Sequence, residues 1–183
     1  MIPAFSSSNV LPPYVGTNPG VRGEMSPYQA TMTEVVRRFA TSPERVTIIE
    51  GLLAYREKLR SLGIVDGFQW IDGSFVENVE VLRGRAPADV DVVTFARRPS
   101  HAFDDAAWRG FIQANLDVFV SAQTKAQFLC DAYFVDLNKK PEIVVDDTRY
   151  WFGLFSHQRT SALWKGMVAI PLSSDDQAAR LLI

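Results

Sequence analysis

Hydrophobic residues recur every three to four positions in the first third of the chain, which is the spacing of helices that bury one face. Ser26 followed by Pro27 predicts a first helix that ends near Ala40, because serine caps helices and proline favours their first turn. Its predicted apolar face consists of Tyr28, Met32, Val35, Val36 and Phe39. The same signal at Ser42 and Pro43 predicts a second helix that ends at Gly63. Its apolar stripe consists of Val46, Ile49, Leu52, Leu53, Leu59 and Leu62.

After residue 66 the apolar runs become shorter and richer in β-branched and aromatic residues, which is typical of strands. We predict strands at 67–71, 89–95, 128–137 and 165–172, with a further short strand at 143–145. A short helix or turn is predicted at 73–79, a longer helix at 104–120 and a closing helix after Ser174. Strands that alternate with helices indicate an α/β or α+β fold class.

Composition divides the chain into two parts. Residues 1–26 are rich in proline, glycine, serine and asparagine, and we interpret them as an extended N-terminal arm. Residues 27–183 are predicted to form a single domain, because 183 residues with 47% hydrophobic composition suffice for one good core. The formal net charge of −2 disfavours the wrapping of long nucleic acid and suits a nucleotide better.

Cysteine use and hydropathy bear on the compartment. Cys130 is the single cysteine, so no internal disulfide can form, and its apolar surroundings favour a buried, inert thiol. No apolar stretch approaches the ~20 residues that cross a bilayer, and the N-terminus lacks the pattern of a signal peptide. We therefore expect a cytoplasmic protein that does not associate with membranes.

Candidate chemistry is concentrated between residues 70 and 93. Asp89 and Asp91 are one residue apart in a predicted strand, so their side chains lie on the same side and can converge on one magnesium ion. Gly73 and Ser74 follow a predicted strand and can offer backbone N–H groups and a hydroxyl to phosphate oxygens. The alternative interpretation is purely structural. Gly73 and Ser74 would then form a turn with a helix cap, Asp89 would cap the loop, and Asp91 would be a solvated strand residue.

Paired aspartates beside a glycine-serine turn are the arrangement that nucleotidyl transfer requires. This reaction normally needs a third carboxylate, because two metal ions stabilise the attacking and leaving oxygens. Asp131 lies near the start of the strand predicted at 128–137 and is our candidate for it. Asp136 is the fallback, since it lies five residues later and is expected to face the other way. An acid among apolar neighbours is costly to bury unless a cation compensates it, which favours ligands over solvated residues.

Basic residues near these motifs are candidates for nucleotide binding. Arg83 lies in the loop between the two halves of the motif, and Arg159 and Lys165 follow in a polar segment between apolar runs. They could contact a triphosphate or a base, or they could be solvated surface charges with a snorkelling lysine. The two histidines, His101 and His157, have no neighbour at metal-ligand spacing, which argues against zinc.

The order of these motifs resembles the polymerase-beta-type nucleotidyltransferase superfamily, including its minimal bacterial members. The matching residues are Gly73 and Ser74, then Asp89 and Asp91, then Asp131, each flanked by hydrophobic residues. Further segments resemble small nucleotidyltransferase-like proteins of bacteria and their mobile elements: Leu11-Pro12-Pro13, residues 34–39, and residues 149–151 through 165–167. The distance from Ser74 to Asp89 is slightly longer than is usual in the superfamily.

The resemblance implies a nucleotidyltransferase fold with a mixed central sheet flanked by helices, Mg²⁺ (or Mn²⁺), a nucleoside triphosphate donor and a hydroxyl-bearing acceptor. The expected function is transfer of a nucleoside monophosphate to a protein, an RNA end or a small molecule, in a phage-defence or toxin–antitoxin context. Asp89, Asp91 and Asp131 would be the metal-binding catalytic residues. The alternative is an inactive binding module or antitoxin that keeps the fold and regulates a partner protein.

Overall fold

The structure is a computed structural model that describes residues 1–18, 20–159 and 161–183. Its helices are α1 (Met32–Phe39), α2 (Pro43–Ser61), α3 (Val79–Arg83), α4 (Asp105–Ala114), α5 (Leu116–Phe119), α6 (Ser121–Phe128), α7 (Pro141–Phe155) and α8 (Asp176–Arg180). Its strands are β1 (Tyr28–Gln29), β2 (Gly67–Asp72), β3 (Val90–Ala96), β4 (Cys130–Asp136) and β5 (Val168–Pro171). Short 3₁₀ helices cover Arg22–Glu24, Gly73–Val76 and Ser100–Ala102.

The strands of the described residues form one mixed sheet in the order β1-β5-β2-β3-β4. The central strand β2 is antiparallel to both β5 and β3, whereas β4 runs parallel to β3 and β1 parallel to β5. Helices cover both faces of the sheet, so the predicted α+β class with a mixed, helix-flanked sheet is confirmed. Parallel pairing of β3 with β4 requires a long crossover, and α4, α5 and α6 supply it.

Alternation along the strands separates two hydrophobic clusters. Val90 and Val92 of β3 point into the larger cluster, which includes side chains of α1, α2, α6 and α8. Val93 and Phe95 point to the opposite face, where Phe155 of α7 packs on them. Asp91 alternates in phase with Val93 and therefore lies on the α7 face of the sheet.

The second predicted helix is confirmed as α2, with Ser42 accepting a hydrogen bond from the Arg45 N–H at 3.3 Å. This helix also carries a buried cation that the apolar pattern concealed. Arg56 is fully buried, and its guanidinium pairs with Asp176 of α8 at 2.8 Å and donates to Gln69 of β2 at 2.7 Å. A buried arginine with complete partners ties α2, α8 and the sheet together.

The first predicted helix begins later than its sequence signal suggested. Tyr28 and Gln29 form strand β1 instead, and α1 starts after Thr31. Thr31 accepts from the Glu34 N–H at 3.2 Å, and the Glu34 carboxylate accepts from the Thr31 N–H at 3.0 Å. This reciprocal capping satisfies two N–H groups, so it is a stronger start than serine before proline.

Two predictions after residue 100 were wrong. The predicted strand at 143–145 lies in α7, because Pro141 occupies the first turn and starts a helix there. The predicted helix at 104–120 is broken at Asn115, whose side-chain amide donates to the Phe111 carbonyl at 2.8 Å and ends α4. Helix α6 was not predicted and occupies the start of the strand expected at 128–137.

The N-terminal segment contributes to the core. Val10 and Leu11 are buried, and Leu11 accepts a hydrogen bond from the Gly166 N–H at 2.8 Å through its carbonyl. Val10 forms an isolated bridge with Glu77.

Among the described helices, none combines the length and the hydrophobicity that crossing a bilayer requires.

Candidate functional site

One cavity of about 480 Å³ contains every residue that the sequence analysis named as a site candidate, Asp136 excepted. It lies on the α7 face, where the C-terminal end of β2 meets the N-terminal ends of β3 and β4. Its lining includes Gly73, Ser74, Arg83, Asp89, Asp91, Asp131, Arg159 and Lys165. Asp136 lies at the other end of β4, where it pairs with Arg98 at 2.7 Å.

Strand register places three aspartates side by side. Asp91 is paired in register with Asp131 on β4 and with Asp72 on β2. Residues directly opposite each other on neighbouring strands point to the same face, so the three carboxylates form a row. Asp89 lies two positions before Asp91 and lines the same cavity. Asp72 was missed, although its place between the strand predicted at 67–71 and Gly73 was a usable signal.

The turn after β2 is in contact with this row. Gly73 has a φ of +79°, a backbone conformation that residues other than glycine rarely adopt, and it begins the 3₁₀ helix Gly73–Val76. A Cβ at this position would lie 2.1 Å from Oδ2 of Asp91. Glycine is therefore required both by the backbone conformation and by the close approach of the carboxylate.

Charge crowding is visible at Asp91. Burial, and after it the neighbouring charges of Asp89 and Asp131, raise its pKa to about 6. Lys165 and Arg159 act in the opposite sense. A cation bound beside the row would stabilise the ionised form of this carboxylate.

Lys165 lies beneath the turn and is buried, which corrects the interpretation of a snorkelling surface lysine. Its ammonium lies 3.0 Å from Asp72 Oδ1 and 3.3 Å from Glu77 Oε1, and donates to the Gly73 carbonyl at 3.2 Å. Burial nevertheless raises the pKa of Asp72 to about 7. Asp72 Oδ1 is within ion-pair distance of the Lys165 ammonium, but it has no hydrogen-bond partner among the described residues.

The outer acids have protein partners of their own. Asp89 pairs with the Lys125 ammonium at 2.5 Å, and Asp131 accepts a hydrogen bond from the Ser121 hydroxyl. The hydrogen bond to Asp89 raises the pKa of Lys125. Both partners belong to α6, so missing that helix meant missing them. Its stripe was faint because Thr124 and Phe128 are its buried residues.

The basic candidates differ in their roles. Arg83 lies 3.5 Å from the buried carboxylate of Glu77, which also accepts from Gln158 at 3.0 Å. Arg159 is exposed at the rim of the cavity. Arg83 and Arg159 are therefore the basic candidates that a ligand can reach, whereas Lys165 holds the turn in place.

The carboxylates supply the hard oxygen donors that Mg²⁺ and Mn²⁺ prefer. In the described residues, no group of three or more acidic, histidine or cysteine side chains is already arranged around one ion position. The Lys125 ammonium supplies the positive charge next to Asp89. The donor chemistry fits a divalent cation, and binding it would require Lys125 to move away from Asp89.

Comparisons with known proteins come from a family model and from two searches. The searches of curated proteins and of solved structures gave no match to this chain. The family model matches residues 3–171, a span that includes the whole sheet and every residue of the cavity. The chain therefore belongs to the family described as a family of unknown function (DUF6932).

Proposed function

We propose that this protein is a metal-dependent nucleotidyltransferase that moves a nucleoside monophosphate from a nucleoside triphosphate to a hydroxyl group. The observation that carries the proposal is the row formed by Asp91 and Asp131 in register, with Asp89 beside it and the Gly73 turn in contact with Asp91. Acids on adjacent strands next to a glycine-serine turn suit phosphate-ester chemistry, because that chemistry depends on positioning and charge neutralisation. The resemblance to polymerase-beta-type nucleotidyltransferases supports the same fold and activity.

In this proposal Asp89 and Asp91 hold Mg²⁺ or Mn²⁺, and Asp131 completes the ligand set. When bound, the metal neutralises charge on the phosphates and on the leaving group. The acceptor oxygen forms a bond to the α-phosphorus while the bond from that phosphorus to the bridging oxygen breaks, and pyrophosphate leaves. Asp131 takes the proton of the acceptor hydroxyl.

The turn and the arginines bind the donor. Gly73 and Ser74 offer N–H groups and a hydroxyl to the phosphates, and Lys165 keeps the turn in place through the Gly73 carbonyl. Arg83 and Arg159 line the same cavity and contribute positive charge toward the triphosphate. The acceptor is a protein, an RNA end or a small molecule. A phage-defence or toxin–antitoxin context remains part of the proposal through the family resemblance.

A second function is favoured by the pairing of Lys125 with Asp89. An ammonium that already compensates the acids makes a metal unnecessary for stability, as in a binding module that has lost its chemistry. Exposed apolar side chains on α7, including Val145 and Ile143, would then contact a regulated partner protein. Magnesium-dependent nucleotide binding distinguishes the two functions.

The test is calorimetry with each ribonucleoside and deoxyribonucleoside triphosphate in the presence of Mg²⁺ or Mn²⁺. We expect binding by the wild type and its loss in the double variant Asp89→Asn, Asp91→Asn. Circular dichroism of the variant should remain that of the wild type, because replacing crowded carboxylates by amides relieves repulsion. Labelled triphosphates added to lysate of the native host then identify the acceptor.

The matched control is Asp136→Asn, at the far end of the same strand as Asp131. It removes a partner of Arg98 and should lower stability while leaving nucleotide binding unchanged. Absence of binding with every triphosphate and both metals would reject the enzyme in favour of the binding module. Unchanged binding by the double variant would reject the assignment of the site.

A further inference from the structure

The cavity has an apolar wall as well as an acidic one. Tyr133, Trp151 and Leu154 line it together with the carboxylates. Tyr133 is 37% exposed and Leu154 45% exposed, so apolar surface faces the same space as the acid row. Aromatic and aliphatic side chains that line a cavity together with a few polar groups are typical of a ligand-binding site.

The wall is held in a defined position relative to the acids. Tyr133 lies two residues after Asp131 on β4, so both side chains project from the same face, and their Cα atoms are about 6.6 Å apart along the strand. The rings of Tyr133 and Trp151 have their centroids 4.6 Å apart. Trp151 also packs against Phe155, which is buried in the α7-side cluster. The aromatic surface is therefore anchored by both the sheet and α7.

We propose that Tyr133 and Trp151 form a stacking wall for the nucleobase of the donor nucleotide. The inference rests on the proposed function and adds to it the part of the substrate that is not phosphate. A base has two apolar faces, and aromatic side chains bind such faces with little preference among bases. The stacking wall therefore predicts a nucleotide donor with an intact base and weak discrimination between bases.

Position within the cavity favours a nucleobase over other occupants. Gly73 follows β2 whereas Tyr133 lies on β4, and β3 separates these two strands, so phosphates at the turn leave the base on the side of the aromatic rings. A volume of about 480 Å³ is in the range of pockets that enclose a ligand of nucleotide size. Arg83 and Arg159, the cationic side chains of the lining that a ligand can reach, provide positive charge for the phosphates.

The test separates the base from the phosphates by using ATP and inorganic tripolyphosphate, each with Mg²⁺, in calorimetric titrations. We expect wild type to bind ATP roughly tenfold or more tightly than tripolyphosphate. Trp151→Leu and Tyr133→Leu keep an apolar side chain but remove the flat ring, and each should weaken ATP binding roughly tenfold. Neither should change tripolyphosphate binding.

Tyr150→Leu is the matched control. Tyr150 is 55% exposed and contacts the edge of Trp151, but it is outside the described lining of the cavity, so ATP binding should be unchanged. Trp151→Phe should largely restore ATP binding, because it keeps a ring that can stack. Tyr133 lies on β4 and Trp151 on α7, so the comparison of ATP with tripolyphosphate can still be made if one of the two leucine variants fails to fold.

The outcomes separate this inference from the function on which it rests. Equal binding of ATP and tripolyphosphate would overturn the stacking wall and leave the donor site intact. Equal weakening of both ligands by the leucine variants would overturn it as well, since the rings would then support only the shape of the site. Absence of binding by both ligands would reject the proposed function itself.

Discussion

Gly73 and Asp91 meet where the turn after β2 touches β3. The positive φ of Gly73 and the missing Cβ act together here, because the Asp91 carboxylate occupies the space that a side chain would take. Gly84 also has a positive φ, of +62°, but nothing lies within 4 Å of its Cβ position. A substitution at Gly84 therefore tests the backbone conformation alone, whereas a substitution at Gly73 tests the backbone conformation together with the close approach of Asp91.

We expect Gly73→Ala to weaken magnesium-dependent nucleotide binding at least tenfold, because the added methyl group displaces the Asp91 carboxylate. Gly84→Ala should cost about 1 kcal/mol of stability from its left-handed backbone alone and leave binding unchanged. Isothermal titration and urea denaturation of both variants provide the comparison. Equal binding by the two variants would show that the contact with Asp91 has no functional role.

Asp91 also predicts a dependence on pH. Its pKa is raised to about 6 by burial and by the adjacent acids, so the folded state binds this proton more tightly than the unfolded state does. The contribution of Asp91 to stability consequently falls as the pH rises from about 4 through 6. Above that range its charge is a full penalty, which a bound cation would offset.

We expect Asp91→Asn to be more stable than wild type at pH 8, with a difference that vanishes near pH 4. Metal affinity of wild type should fall roughly tenfold between pH 7 and pH 5, because the ionised fraction falls from about 0.9 to about 0.1. Urea denaturation and magnesium titration over this range measure both effects. An exposed control, Asp66→Asn, should show neither, and a pH-independent difference for Asp91→Asn would contradict the assigned cause.

At the scale of elements, the packing of α2 against α6 determines where Lys125 and Ser121 lie. A Cβ on Gly51 of α2 would lie 2.0 Å from the carbonyl oxygen of Phe128, at the end of α6. Only glycine allows this approach between a helix and a neighbouring backbone. The position of α6, and through it the partners of Asp89 and Asp131, depends on this contact.

We expect Gly51→Ala to destabilise the protein by about 1–3 kcal/mol through overpacking. Gly110→Ala is the matched control in α4, where nothing lies within 4 Å of the Cβ position, and it should stabilise by about 0.5–1 kcal/mol. Chemical denaturation measures both changes. A stabilising effect of Gly51→Ala would mean that α2 and α6 lie farther apart than described.

At the scale of the whole molecule, one face of the sheet is mainly a hydrophobic core, whereas the other face also carries the candidate site. The larger cluster on one face supplies most of the buried apolar surface. The other face is covered by a smaller cluster with α7, and beside that cluster it holds the acid row. Burial on one face therefore provides the stability that allows like charges to be crowded on the other.

The family match agrees with this division of the molecule. It spans residues 3–171, which include the N-terminal segment that packs into the core and all strands of the described sheet. The buried side chains of Val10 and Leu11 belong to that segment. The matched residues thus contain the cavity and most of the core that supports it, whereas α8, which adds Ala179 to the larger cluster, lies beyond them.

The sequence by itself determined the features that local spacing controls. Short apolar runs rich in β-branched and aromatic residues predicted the strands that carry Asp91 and Asp131. Two-residue spacing placed Asp89 with Asp91, because the period of a strand is a property of the backbone. It also favoured Asp131 over Asp136, which the structure places at opposite ends of β4. Ser42 and Pro43 likewise identified the start of α2 without help from the rest of the chain.

Only the tertiary structure decided which distant residues join these acids. Asp72 enters the row through the register of β2 with β3, and Lys125 reaches Asp89 from a helix whose apolar stripe was too faint to predict. Lys165 and Trp151 arrive from segments far along the chain. Strand register and helix docking depend on contacts between remote residues, which periodicity along the sequence does not encode.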